Sequence, residues 1–82
     1  MIKYYWLSEK PFAERSVNYT INSHSGVLYL YDGVFKKLMA DGTWRNTYNP
    51  MLFHCVGDDD INIERLEEEQ VTEFITMLEL SR

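Results

Sequence analysis

The sequence predicts an α+β fold: an antiparallel β-meander of about five short strands packed against one C-terminal amphipathic helix. Two Asp-Gly dipeptides, Asp32-Gly33 and Asp41-Gly42, point to the meander, because each stands between aromatic or β-branched runs. Val71, Phe74, Ile75 and Leu78 point to the helix, because they fall at i, i+3, i+4 and i+7 and form one apolar stripe.

The elements follow in order. In residues 2–8, Ile2, Tyr4 and Trp6 alternate with Tyr5 and Leu7. A strand apolar on both faces belongs at the centre of a sheet or at a contact. Pro11 ends it, since proline removes a ladder donor. Residues 17–21 alternate cleanly and read as a second strand, and residues 22–26 as a turn-rich connection. Residues 27–31 are a strand by composition, Asp32-Gly33 supplies positive φ for a tight hairpin, and residues 34–39 return. Residues 43–47 follow the second Asp-Gly turn as a further strand. Asn49-Pro50 breaks the chain, residues 51–56 read as a buried strand, residues 57–60 as a solvated acidic turn, and Ile61 and Ile63 as a short last strand. The helix is expected from about residue 68 to the end. With Glu67 as its cap, Gln70 is placed to bond back to the cap amide. Leu66 and Val71 can close a hydrophobic staple, and Glu68 and Glu69 suit the helix dipole.

A chain of 82 residues and 9.8 kDa reads as one domain, residues 1–82. By mass scaling it should expose roughly 5,200 Å² folded against roughly 14,000 Å² unfolded, which allows a thin core. The composition, 45% hydrophobic and 15% aromatic, is that of a globular chain. The net charge of −5, with eight Lys and Arg scattered along the sequence, argues against direct nucleic-acid binding and for solubility or a basic partner. Cys55 is the only cysteine, so no intramolecular disulfide forms and a reducing, cytoplasmic setting is expected. No apolar run is long enough for a signal peptide or a membrane span.

Three pieces, Tyr29-Leu30-Tyr31-Asp32-Gly33, Ala40-Asp41-Gly42-Thr43-Trp44 and residues 66–75, resemble small uncharacterised proteins of Gram-positive phages and prophages. The resemblance implies an accessory protein of phage type, a class in which inhibitors of host machinery are common. It transfers no catalytic residue.

The constellations that carry chemistry are thin. His54-Cys55 beside Asp58-Asp59-Asp60 falls short of a zinc set, and adjacent residues of one strand point to opposite faces. The acidic run lacks the alternation and central glycine of a calcium loop. The serines lack an elbow motif, His24 sits in a turn, and the four glycines are isolated. No enzyme activity and no cofactor or metal are therefore expected.

Two surface features remain. Aromatic side chains exceed what a thin core buries, and Tyr5, Trp6, Tyr29, Tyr31 and Trp44 are candidates for a contact patch on the sheet face opposite the helix. Asp59, Glu68 and Glu69 stand in a segment, residues 58–73, that holds eight of the thirteen carboxylates. Such a segment can imitate a phosphate backbone. The function expected is protein–protein contact with a host or phage protein, in its sharper form inhibition of a host nucleic-acid enzyme or defence system. The alternative is a self-associating structural module, a homodimer through its aromatic sheet face.

Overall fold

Glycines set the hairpin geometry. In the computed structural model, which describes residues 1–15, 19, 26–50 and 61–80, Gly33 and Gly42 take φ of 79° and 89°. These left-handed values suit a residue without Cβ. Around them run β1 (Lys3–Ser8), β2 (Val27–Tyr31), β3 (Phe35–Leu38) and β4 (Trp44–Asn46); β5 (Asn62–Leu66) precedes helix α1 (Glu68–Leu80). The five strands form one antiparallel sheet in the order β4-β3-β2-β1-β5. Strands β4 to β1 are thus a meander, and β5 returns to the free side of β1. That places β1 at an interior position, as its two apolar faces require.

Three details differ from the sequence expectation. The first hairpin loop is Asp32-Gly33-Val34, since Tyr31 pairs with Phe35, so the return strand starts one residue later and Val34 is exposed. The last strand extends to Leu66, which pairs with Tyr4 and is buried. A short 3-10 turn, Phe12–Glu14, follows β1 and buries Phe12. The strands expected at residues 17–21 (Tyr19 excepted) and 51–56 lie outside the described residues, as do His24, His54, Cys55 and the acidic run at 58–60.

Register sorts the side chains onto two faces. One face carries Tyr4, Trp6, Leu28, Leu30, Leu38, Trp44 and Leu66. Trp6, Leu28, Leu38 and Leu66 of this face join Phe12, Val71 and Phe74 in the main core, so this is the face that α1 covers. Trp6 is 1% exposed and meets Phe12 and Phe74 edge-on, with ring centroids 5.1 and 5.5 Å away. Edge-to-face pairs of this kind add to the burial of ring area. The Arg15 guanidinium lies 4.2 Å above the Phe12 ring and lids the cluster.

The start of α1 follows the signals in the sequence. The Glu67 N–H donates to Gln70 Oε1 at 2.9 Å, and the Val71 N–H donates to the Glu67 carbonyl at 3.2 Å. Leu66 and Val71 are both buried in the same cluster. At the second turn, Asp41 Oδ1 accepts from the Thr43 N–H at 3.0 Å and from its hydroxyl at 2.6 Å, so the aspartate side chain shapes the loop itself.

Tyr19 ties the core to the sheet. Its hydroxyl donates to the Leu38 carbonyl at 2.6 Å and accepts from the Leu28 N–H at 3.4 Å. Burial is the main cause that pushes its pKa up from 10.0 to about 12, against the Leu28 N–H, which lowers it, and with a smaller upward push from Tyr29. The folded state therefore holds this proton more tightly than the unfolded chain. Its contribution to stability is complete below pH 10 and declines as pH rises from 10 to about 12. Alkaline unfolding of wild type should show this decline. The slope should flatten in Tyr19→Phe, which should also lose about 1–2 kcal/mol at neutral pH by stranding the Leu38 carbonyl. Identical alkaline profiles for the two proteins would contradict the assignment.

Candidate macromolecular interface

The face opposite α1 is built in cross-strand rows. The first row, Ile63, Leu7 and Val27, is apolar, and with Tyr29 and Ile61 its Leu7 and Val27 form a second buried cluster. The next row runs across all five strands as Arg65, Tyr5, Tyr29, Lys37 and Arg45. At ~4.8 Å per strand step, it spans roughly 19 Å from Arg65 to Arg45. The third row is Lys3, Tyr31 and Phe35.

In these rows the rings touch. The Tyr31 and Phe35 centroids are 4.6 Å apart, Tyr5 and Phe35 are 6.5 Å apart, and the Arg65 guanidinium lies 6.0 Å from the Tyr5 centroid. All three rings are half-buried, so part of each meets solvent. Arg45 and Arg65 are exposed, and Lys3 and Lys37 are half-exposed. Four of the eight Lys and Arg thus gather on one face, and every strand residue on it is apolar, aromatic or cationic. Among the described carboxylates, Asp32 and Asp41 stand in the β2–β3 and β3–β4 turns and Glu67 at the helix cap, all outside the strands.

One pairing breaks a local rule. Lys37 stands directly opposite Arg45 across β3 and β4. Like charges facing each other in an antiparallel pair cost roughly 0.2–1 kcal/mol. No ion pair to a described carboxylate relieves either of them.

Five carboxylates stand on or beside α1. Glu67, Glu68, Glu69, Glu73 and Glu79 are all exposed on α1 or at its cap. Glu64, the one acidic strand residue, faces the covered side and accepts from the Phe12 N–H at 3.1 Å. Strand register therefore gathers four cations on one face, and α1 with its cap carries five exposed carboxylates.

The candidate contact residues fall as follows. Tyr5 and Tyr31 stand on the exposed face. Tyr29 is on the same face but only 9% exposed, and burial raises its pKa. Trp6 is core, and Trp44 packs partly buried against the same helix-side cluster. Trp6 and Tyr29 are thus corrected from contact residues to packing residues, and Trp44 belongs to the face that α1 covers, not to the one opposite. A strand apolar on both sides leaves two sets of rings, and only the position of α1 decides which set it covers. Glu68 and Glu69 are exposed, and Asp59 lies outside the described residues. Lys3, Phe35, Lys37, Arg45 and Arg65 were missed. Their signal lay in alternation on either side of each Asp-Gly turn, which puts Tyr31, Phe35, Lys37 and Arg45 on one face once the strands pair.

Beside the cap of α1 lies an open hollow of about 360 Å³, whose polar lining is Tyr4, Arg65, Glu67 and Glu68. Partial burial, and then Glu68, raise the Tyr4 pKa, which keeps the phenol protonated. Tyr4 is thus not an activated nucleophile. Among the described residues, no three His, Cys, Asp or Glu gather as a metal-ligand group, and no helix is long and apolar enough to cross a membrane. Compared with family models, with curated proteins and with solved structures, the chain finds no match.

Proposed function

We propose that this chain is a non-enzymatic accessory protein of phage or prophage type that works in the host cytoplasm by binding another macromolecule. Its acidic helix is the surface offered to a basic host protein, such as a nucleic-acid enzyme or a component of a defence system. The observation that carries this reading is the placement of five exposed carboxylates on or beside α1, with four cations among the apolar and aromatic strand residues of the opposite sheet face. Groups that do chemistry converge in a cleft, whereas these are spread outward. Opposite-sign fields steer and orient a partner on encounter.

The alternative, a homodimer through the aromatic sheet face, is opposed by the same placement. A two-fold axis through that face would bring Lys37, Arg45 and Arg65 of two copies into one interface. The sheet edges are also poorly suited to pairing: β4 has three residues, and the edge strand β5 carries Glu64 and Arg65.

Reversing charge at Asp59, Glu68 and Glu69 together (to Lys) tests the reading. Lysines in the first helical turn oppose the dipole by about 0.3–1 kcal/mol each, which lowers Tm without unfolding the domain. Wild type used as bait in a Gram-positive host lysate should retain a basic protein that the triple variant loses at least about tenfold. Equal recovery by the two baits would reject the acidic surface as the contact.

A further inference from the structure

We propose that the sheet face opposite α1 binds single-stranded nucleic acid, with Tyr5, Tyr31 and Phe35 as base-stacking rings and Lys37, Arg45 and Arg65 as phosphate contacts. This goes beyond the function proposed above, which concerns the helix side. Net charge alone argues against it, but four of the eight Lys and Arg stand together on this face. The carboxylates of α1 lie across the sheet from this face, and the Debye length at physiological salt is only about 8 Å.

Three observations select this occupant. The first is charge complementarity: four cations share a face to which the strands contribute no carboxylate. The second is the apposition of Lys37 and Arg45, which no described carboxylate relieves and which a phosphate lying between them would turn from a cost into a contact. The third is the ring cluster. Tyr31 and Phe35 at 4.6 Å, with Tyr5 at 6.5 Å from Phe35, present adjacent half-exposed π faces inside the cationic border. Any base can stack on such faces, and interleaved cations track the backbone. A duplex would satisfy the cations but keeps its bases stacked on one another. An acidic peptide would satisfy them without needing three rings. DNA and RNA single strands share the chemistry recognised, and the test carries both.

The experiment is fluorescence anisotropy with labelled oligothymidine, oligouridine and a duplex, each of about 15 nucleotides per strand. It is run on the full chain at about 50 and about 200 mM salt. One or both single strands should bind, the duplex at least about tenfold more weakly, and the preferred strand shows whether DNA or RNA is favoured. With about three phosphate contacts, affinity should drop roughly twentyfold across that salt range. Arg45→Glu should weaken binding at least about tenfold while raising Tm by a few degrees, because it sets a carboxylate opposite Lys37. That paired result cannot come from misfolding. Tyr31→Leu keeps an apolar side chain but removes a ring, and should weaken binding with the salt dependence unchanged.

The inference is overturned if wild type binds neither strand at the lower salt, if both variants bind like wild type, or if the duplex binds as tightly as the single strands. It is also overturned if polyglutamate competes as well as a single strand, which would assign the face to an acidic protein. Salt-sensitive self-association that Arg45→Glu abolishes, without oligonucleotide binding, would assign it to the α1 face of a second copy. Because Glu68 and Glu69 stand on α1 and not on this face, Glu68→Lys with Glu69→Lys, tested against the same oligonucleotides, separates failure here from failure of the helix-side contact.

Discussion

Gly26→Ala is expected to lower Tm by at least about ten degrees. Gly26 enters β2 with φ of 117°, a conformation in which an L side chain is strained. It also lies against the indole of Trp6: a Cβ at this position would overlap the Cζ2, Cη2 and Cε2 atoms of the ring. Neither partner can give way easily. The ring is 1% exposed and held among Phe12, Tyr19 and Phe74, and Gly26 is fixed by the strand it begins. Backbone strain of about 1–3 kcal/mol and overpacking of about 1–3 kcal/mol together approach the stability expected of a domain this size. Thermal unfolding followed by circular dichroism measures the effect. A Tm within a few degrees of wild type would show that the close approach is not as described.

The second large effect belongs to Trp6. Trp6→Ala should cost about 3–5 kcal/mol, since it empties the centre of the core that joins the sheet to α1. Trp6→Phe should be much milder, at about 1–2 kcal/mol, for a specific reason. The indole N–H is buried with no hydrogen-bond partner among the described residues. Removing it abolishes an unsatisfied donor, which offsets part of the lost packing. The two sites should also be coupled. A phenylalanine lacks the outer atoms that the new Cβ would strike, so Gly26→Ala should cost at least about 1 kcal/mol less in the Trp6→Phe background. An equal cost in both backgrounds would trace the penalty to the backbone angle alone.

These two residues also show where the sequence stops being readable. The turns and the helix start were legible because their signals are local: Gly33 and Gly42 take the positive φ that their Asp-Gly dipeptides imply, and Gln70 bonds back to the Glu67 amide. The interior position of β1 was legible because Ile2 to Leu7 is apolar on both faces. What could not be read locally was which face meets the helix. Trp6 and Tyr5 are neighbours of the same class, yet one is core and the other belongs to the exposed row. The cationic face was hidden for the same reason. Lys3, Lys37, Arg45 and Arg65 come from four strands, and only the register of the sheet brings them together. Gly26 looked like one more residue of a turn-rich connection, and its close approach to Trp6 is a tertiary fact.

Amide chemical-shift mapping during titration with the single-stranded oligonucleotide tests the central claim most directly, that the ring-and-cation side of the sheet is a contact surface. The expected result is perturbation concentrated at Tyr5, Tyr31, Phe35, Lys37, Arg45 and Arg65, with the resonances of Glu68–Leu80 unmoved. Perturbation confined to the helix, or none at saturating ligand, would contradict it.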